Sequence, residues 1–242
     1  MTLPTSSAAT RRSRPQGLAR VLTNLTRFPQ RTATTLSRLF DPNFRLERQA
    51  NSAVRRWFTP QRRKQLENIP GMSATHECRL LAYLAAEAPA GGDIVEIGAW
   101  KGKTTAWLVE GARRRADLPA VVTIDPHERN SWEDFSGTVQ RFDLVGRGLQ
   151  IHRARSHDVG ENWQRPISLL WIDGSHEYEA VLADIDDFVP HVMPGGWVIF
   201  DDAAGGTFPG VERAIDQRMR NRRGFTHAAS IRHLELFRRD AR

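Results

Sequence analysis

The residues best suited to chemistry are carboxylates and one imidazole placed directly after short apolar runs. Leu169-Leu170-Trp171-Ile172 leads into Asp173-Gly174-Ser175-His176-Glu177-Tyr178, and Trp197-Val198-Ile199-Phe200 leads into Asp201-Asp202. A continuous apolar run of this length reads as a buried strand, so each run delivers its acid to the rim of a sheet. Neighbouring strands stand about 4.8 Å apart, which lets carboxylates from adjacent strands converge on one cation. An all-oxygen donor set favours a hard ion such as Mg²⁺, Ca²⁺ or Mn²⁺ over zinc. His176 comes three residues after Asp173, at the expected start of a helix, and either His176 or Asp173 could serve as a general base. Singly, each of these residues could equally cap a loop or a helix. Together, in this order and at strand ends, they favour a metal site.

A second constellation lies upstream, in Val95-Glu96-Ile97-Gly98-Ala99-Trp100-Lys101-Gly102-Lys103-Thr104-Thr105. Glycines at 98 and 102 let the backbone approach a ligand closely, and the following helix offers free N–H groups. Neither the dinucleotide spacing G-x-G-x-x-G nor the phosphate loop G-x-x-x-x-G-K-[ST] is present; by itself this loop reads equally as a tight turn. Asp125, just before Pro126, ends a second apolar strand. There it can accept both hydroxyls of a ribose, or merely cap a turn. Glu96 sits inside an apolar strand, where a carboxylate is costly unless paired. A cationic or amino-bearing ligand would supply the pair.

These positions require a particular scaffold. Strands are expected at Asp93–Ile97, Ala120–Ile124, Leu149–His152, Ile167–Ile172 and Trp197–Phe200, with helices at Thr104–Arg115, Tyr178–Val189 and from Val211 to Arg220. Apolar runs alternating with helices indicate a doubly wound α/β domain, whose ligands bind outside the carboxyl ends of the strands. Before the first strand, Asp41–Gln65 is basic and helix-compatible, Pro70-Gly71 marks a turn, and Thr75 is placed to cap a helix ending near Pro89. Asp184, Asp186 and Asp187 read as the solvated face of the helix after His176. His127 and His157 have no assigned role, and Trp100, Trp132 and Trp163 read as core packing or as pocket lining.

Composition narrows the field further. The formal net charge is +7, yet residues 1–40 hold seven arginines and no acid, leaving the remainder with as many bases as acids. Nothing in that balance marks a nucleic-acid-binding face on the folded body. The Ser/Thr/Arg-rich arm is open to three readings: a poorly ordered or helical cover, an organelle transit peptide, or a segment lying on an anionic membrane surface. One cysteine, Cys78, excludes an intrachain disulfide and a Cys-based zinc site. No apolar stretch reaches the roughly 18 residues of a membrane span, so a cytoplasmic location is expected, or organelle import if the arm is a transit peptide.

Glu96-Ile97-Gly98, Gly102 and Thr104, with Asp125 downstream, resemble the S-adenosylmethionine (SAM) site of class I methyltransferases. With Asp173, Asp201 and Asp202 the pattern is similar to that of the small cation-dependent O-methyltransferases, over roughly Pro70 to Phe237. The resemblance implies a Rossmann-like, seven-stranded, mostly parallel sheet with Phe225–Ile231 and Leu234–Arg238 as its last strands. It implies a division into the arm at 1–40, a helical extension at 41–69 and a methyltransferase domain at 70–242. Glu96, Gly98, Ala99, Gly102, Thr104 and Asp173 would contact SAM, with Asp125 at the ribose and Ser156 near the adenine; Met72 would close over the cofactor. Asp173, Asp201 and Asp202 would hold a divalent cation, Mg²⁺ foremost, and Ala203–Pro209 would form a lid. The catechol-acting branch has a lysine where this chain has His176, and the Asp-Gly-x-His-x-Tyr run is similar to the branch acting on sugars and natural products. The implied activity is transfer of a methyl group to a small hydroxylated acceptor, with homo-oligomers common among relatives. A non-catalytic SAM-fold module and a Rossmann-type oxidoreductase are the alternatives.

Overall fold

The computed structural model describes residues 41–128 and 130–241. The basic arm, with its transit-peptide and membrane readings, lies outside the described residues. The basic stretch after Asp41 forms two helices, α1 (Pro42–Trp57) and α2 (Pro60–Glu67). The break is local chemistry: Pro60 has no N–H with which to continue α1, and the Thr59 hydroxyl accepts the Arg62 N–H at 3.2 Å. α3 (Thr75–Glu87) begins one residue earlier than a Thr75 cap implies, with Ala74 at the cap position. Alanine has no acceptor, so Glu77 fixes this end by accepting the Ala74 N–H at 2.6 Å.

The sheet has seven strands in the order β3-β2-β1-β4-β5-β7-β6. β1 (Asp93–Ile97), β2 (Val121–Ile124), β3 (Leu149–His152), β4 (Ile167–Ile172) and β5 (Val192–Phe200) pair in parallel. β7 (Leu234–Arg239) inserts antiparallel between β5 and β6 (Phe225–Ile231). The fifth strand starts at Val192 rather than at Trp197, because Pro194-Gly195-Gly196, which reads as a turn, is carried inside the strand.

Helices cover both faces. α1, α3, α4 (Lys103–Ala112) and α5 (Trp132–Phe142) pack on Ile94, Val121, Leu169, Trp171 and Ile199. On the opposite face, α7 (Tyr178–Phe188) and α8 (Pro209–Arg218) pack on Val95, Val122, Leu170, Val198 and Phe200. The short α6 (Ser156–Gly160) adjoins α7. α5 was not anticipated, although Phe135, Val139 and Phe142 recur at helical spacing and are all buried.

One feature of the ladder positions the site. Beyond the last paired residue of each strand, Asp125 N–H donates to His152 O, Gly98 N–H to Ile124 O, Asp173 N–H to Ile97 O and Asp201 N–H to Ile172 O, at 2.9–3.1 Å. Gly98, Asp125, Asp173 and Asp201 therefore form one row across four adjacent strands. β1 is the strand from which the order runs outward both ways, so the row crosses the topological switch point between β1 and β4.

Candidate active site at the carboxyl rim of the sheet

Gly98 and Gly102 adopt φ of 89° and 83°, the left-handed region. At Gly98 space matters as much as angle, because a Cβ there would stand 2.0 Å from the Asp173 carbonyl oxygen. Gly102 caps α4, and its missing side chain lets Phe135 and Thr138 close in. Asp125 anchors this loop: its Oδ2 accepts the N–H groups of Ala99 and Trp100 at 2.9 and 2.7 Å. Its Oδ1 accepts the N–H of His127 at 2.6 Å. A carboxylate oxygen has further acceptor capacity, so the same group can still meet ribose hydroxyls.

Glu96 is fully buried on the α4 side of the sheet, not at the open rim. Thr105 and Thr123 hydroxyls donate to its Oε2 at 2.5 and 2.9 Å, while Oε1 is buried without a partner. Burial pushes its carboxyl up to about 7, opposed by Thr104, Thr105 and Thr123. Thr104 is buried at the first turn of α4 and Ala99 inside the loop. The orphaned Oε1 and the glycine cradle both suit a ligand bearing an ammonium group on the methionine side of SAM.

Across β4 and β5 the row becomes acidic. Burial, with Asp201 and Asp202 alongside, holds the Asp173 carboxyl well above its ordinary value. Burial brings Asp201 to about 7, with the Asp202 N–H opposing and Glu77 and Asp202 reinforcing the rise. Asp202 turns back sharply, with φ 51°, and its N–H donates to Asp201 Oδ1 at 2.9 Å. His176 Nε2 lies 3.2 Å from Asp202 Oδ2 but is not aligned as a hydrogen bond. These oxygens suit a hard cation, and a positive ion would relieve their mutual repulsion. Among the described residues, no group of three or more His, Cys, Asp or Glu is drawn together tightly enough to hold a metal as it stands.

Several residues stand differently from expectation. His176 lies in the loop before α7, which starts at Tyr178 with Glu177 at its cap. Phe208 covers the imidazole, ring centroids 3.9 Å apart, and Gly210 allows α8 to press on the His176–Tyr178 backbone. Asp184 is not on a solvated face: it is 1% exposed, and burial pushes it up to about 7 against the Ser156 hydroxyl. Helical periodicity puts Asp184 with Val181 and Ile185 on the buried side, a signal that the run of three acids obscured. Asp187 pairs with His157 at 2.8 Å, and Asp186 with Arg218. Ser156 opens α6, beyond β3. His127, also unassigned from sequence, is buried at φ 55° with its Nδ1 2.8 Å from Ser131 Oγ. Trp163 is core, its ring tilted against that of Phe188, whereas Trp100 and Trp132 are half-buried. Met72 is 87% exposed on the loop before α3, and the adjoining Gly71 lies against Lys103. Glu77, buried on α3, carries a negative charge that helps raise both Asp173 and Asp201, and no motif in the sequence marks it.

A family model described as a methyltransferase domain matches residues 95–203, the segment holding both halves of the row. The seven-stranded sheet in this order is the Rossmann-like fold of class I SAM-dependent methyltransferases. Solved structures share that fold. The O-methyltransferase NovP superposes with a TM-score of 0.58 at 17% identity, covering 81% of this chain and 96% of that one. TomG from Streptomyces achromogenes, an O-methyltransferase in tomaymycin synthesis solved with SAM, gives 0.56 at 18% identity over 74% and 88%. CalS11, a TDP-rhamnose 3'-O-methyltransferase of calicheamicin biosynthesis, gives 0.53 at 17% identity over 75% and 95%. Among curated proteins, uncharacterized protein R132 of Acanthamoeba polyphaga mimivirus is 25% identical over 114 residues, 45% of this chain. The chain spans about half the length of that relative, 50%.

Proposed function

We propose that this methyltransferase moves the methyl group of SAM to a hydroxyl of a small acceptor, a sugar or another natural product, with a divalent cation assisting. The observation that carries the reading is the row itself. Gly98 and Asp125 occupy its β1–β2 side, Asp173 and Asp201 its β4–β5 side, and the switch point lies between them. A cofactor on the first side and an acceptor on the second would meet above the Gly98–Asp173 contact. The sugar and natural-product O-methyltransferases among the structural relatives support a hydroxyl acceptor, as does His176 in place of a lysine.

SAM supplies an electrophilic methyl on its sulfonium. The acceptor oxygen attacks that carbon, the C–O bond forms as the C–S bond breaks, and S-adenosylhomocysteine leaves. The hydroxyl proton must go to a base, and in this reading His176 Nε2 or an Asp173 oxygen receives it. Asp173, Asp201 and Asp202 would hold a cation, Mg²⁺ by donor chemistry, which orients the hydroxyl and lowers its pKa. Phe208 packs on the imidazole, ring centroids 3.9 Å apart. Aligning the two reactants is worth up to ~7–11 kcal/mol, against about 3–5 kcal/mol for a general base acting ~10²–10⁴-fold.

Calorimetry with SAM, followed by turnover with and without EDTA, tests the reading. SAM should bind in the micromolar range, and EDTA should stop methyl transfer until Mg²⁺ is added back. Full turnover in EDTA would remove the cation, and tight NAD(P) binding without SAM binding would replace the reading with an oxidoreductase.

A further inference from the structure

The helical extension is far more basic than the domain it precedes. Residues 42–68 carry seven Arg or Lys and only two acids, Glu47 and Glu67. Both acids are engaged, Glu47 with Arg232 and Glu67 with Arg79. α1, α2 and α3 border an open groove of about 890 Å³, lined by Phe58, Pro60 and Asn68, by the cations Arg55, Arg63, Lys64 and Arg79, and by one acid, Glu67. That volume falls within the ~300–1,000 Å³ usual for small-ligand sites.

Of the groove's four cations only Arg79 is paired with a carboxylate, that of Glu67. Among the described residues, Arg55, Arg63 and Lys64 form no ion pair. Arg63 donates to the Arg55 and Phe58 carbonyls, both at 3.3 Å, which fixes its guanidinium at the end of α1. Arg79 is fixed by Asn51 and Glu67, yet its Nε is buried without a partner. Arg62, by contrast, is committed to Glu110 and does not line the groove.

We propose that this groove binds a phosphate-bearing small molecule, a diphosphate or triphosphate group matching its charge. Held guanidinium forks suit phosphate oxygens in shape as well as charge. An extended nucleic acid would need a longer basic track than this short one. The site is separate from the methyl-transfer rim and stands whether or not that reading does.

Calorimetry on the full chain at low, matched ionic strength decides it, titrating inorganic pyrophosphate, ADP and sodium sulfate in turn. Pyrophosphate should bind with sub-millimolar Kd and sulfate more weakly. A clearly tighter ADP would show that the groove takes an organic body, and equal affinities that it reads the phosphates alone. The double variant Arg55→Glu/Lys64→Glu should weaken pyrophosphate by about tenfold or more, with SAM affinity and melting temperature unchanged; both side chains are exposed, so the fold should tolerate them. Absence of pyrophosphate binding, or equal affinity in the variant, would overturn the proposal. So would poly(U) or phosphatidylserine vesicles that bind and are not displaced by pyrophosphate.

Discussion

Gly98 is where the loop after β1 and the end of β4 press on one another, since a single added carbon would collide with the Asp173 carbonyl. Gly98→Ala should abolish measurable SAM binding and lower the melting temperature, read by calorimetry and thermal denaturation. Asp125 acts on the same loop by charge, accepting three backbone N–H groups. Hydrogen bonds to charged groups are worth roughly 1.5–3 kcal/mol each, so Asp125→Ala should weaken SAM about tenfold or more. Unchanged affinity would place the ribose elsewhere. His176 answers a different question. If it is the base, His176→Ala lowers kcat by ~10²–10⁴-fold while SAM affinity hardly moves. An equal loss of SAM affinity would make it a cofactor contact instead.

Among the elements, the sheet was the part most legible in the sequence. Strands such as Ile167–Ile172 are buried on both faces, so unbroken apolar runs announce them, and the acids that end them stand at the rim as expected. Features that depend on tertiary burial were harder to read. Asp184 and Glu77 are charged residues inside helices, and only packing shows that they are enclosed. α5 follows an irregular stretch around Asn130, which masks the helical spacing of Trp132, Phe135 and Phe142. The pairing of helices is likewise invisible in one dimension. Glu110 of α4 is 3% exposed and binds both Arg62 of α2 and Arg147 before β3. Because the arginines are partly solvated, Glu110→Ala should cost about 1–3 kcal/mol, measured as a lower urea midpoint with unchanged SAM affinity.

At the scale of the molecule, buried acids tie stability to pH. Glu96 and Asp184 both titrate at about 7 in the folded chain, against roughly 4 when unfolded. The folded state thus keeps protons that the unfolded state releases, and this contribution is full below about pH 4 and lost as pH rises to about 7. The urea midpoint should therefore decline between about pH 5 and 7 and level off above, with Asp184→Asn showing a shallower decline. A midpoint that rises over that interval would contradict the burial of these acids.

The described chain contains no helix long and apolar enough to cross a membrane. Its balanced body conceals a division between a basic helical extension and an acidic rim, which keeps the proposed anion groove apart from the proposed methyl-transfer site. The transfer itself is the central claim. Incubating the full chain with methyl-labelled SAM, Mg²⁺ and an extract of its host, then identifying the labelled product by mass spectrometry, tests it most directly. The account predicts a small molecule bearing the label on oxygen, absent when Asp173 is replaced by alanine. SAM binding without any labelled product, or a label carried on nitrogen or carbon, would contradict it.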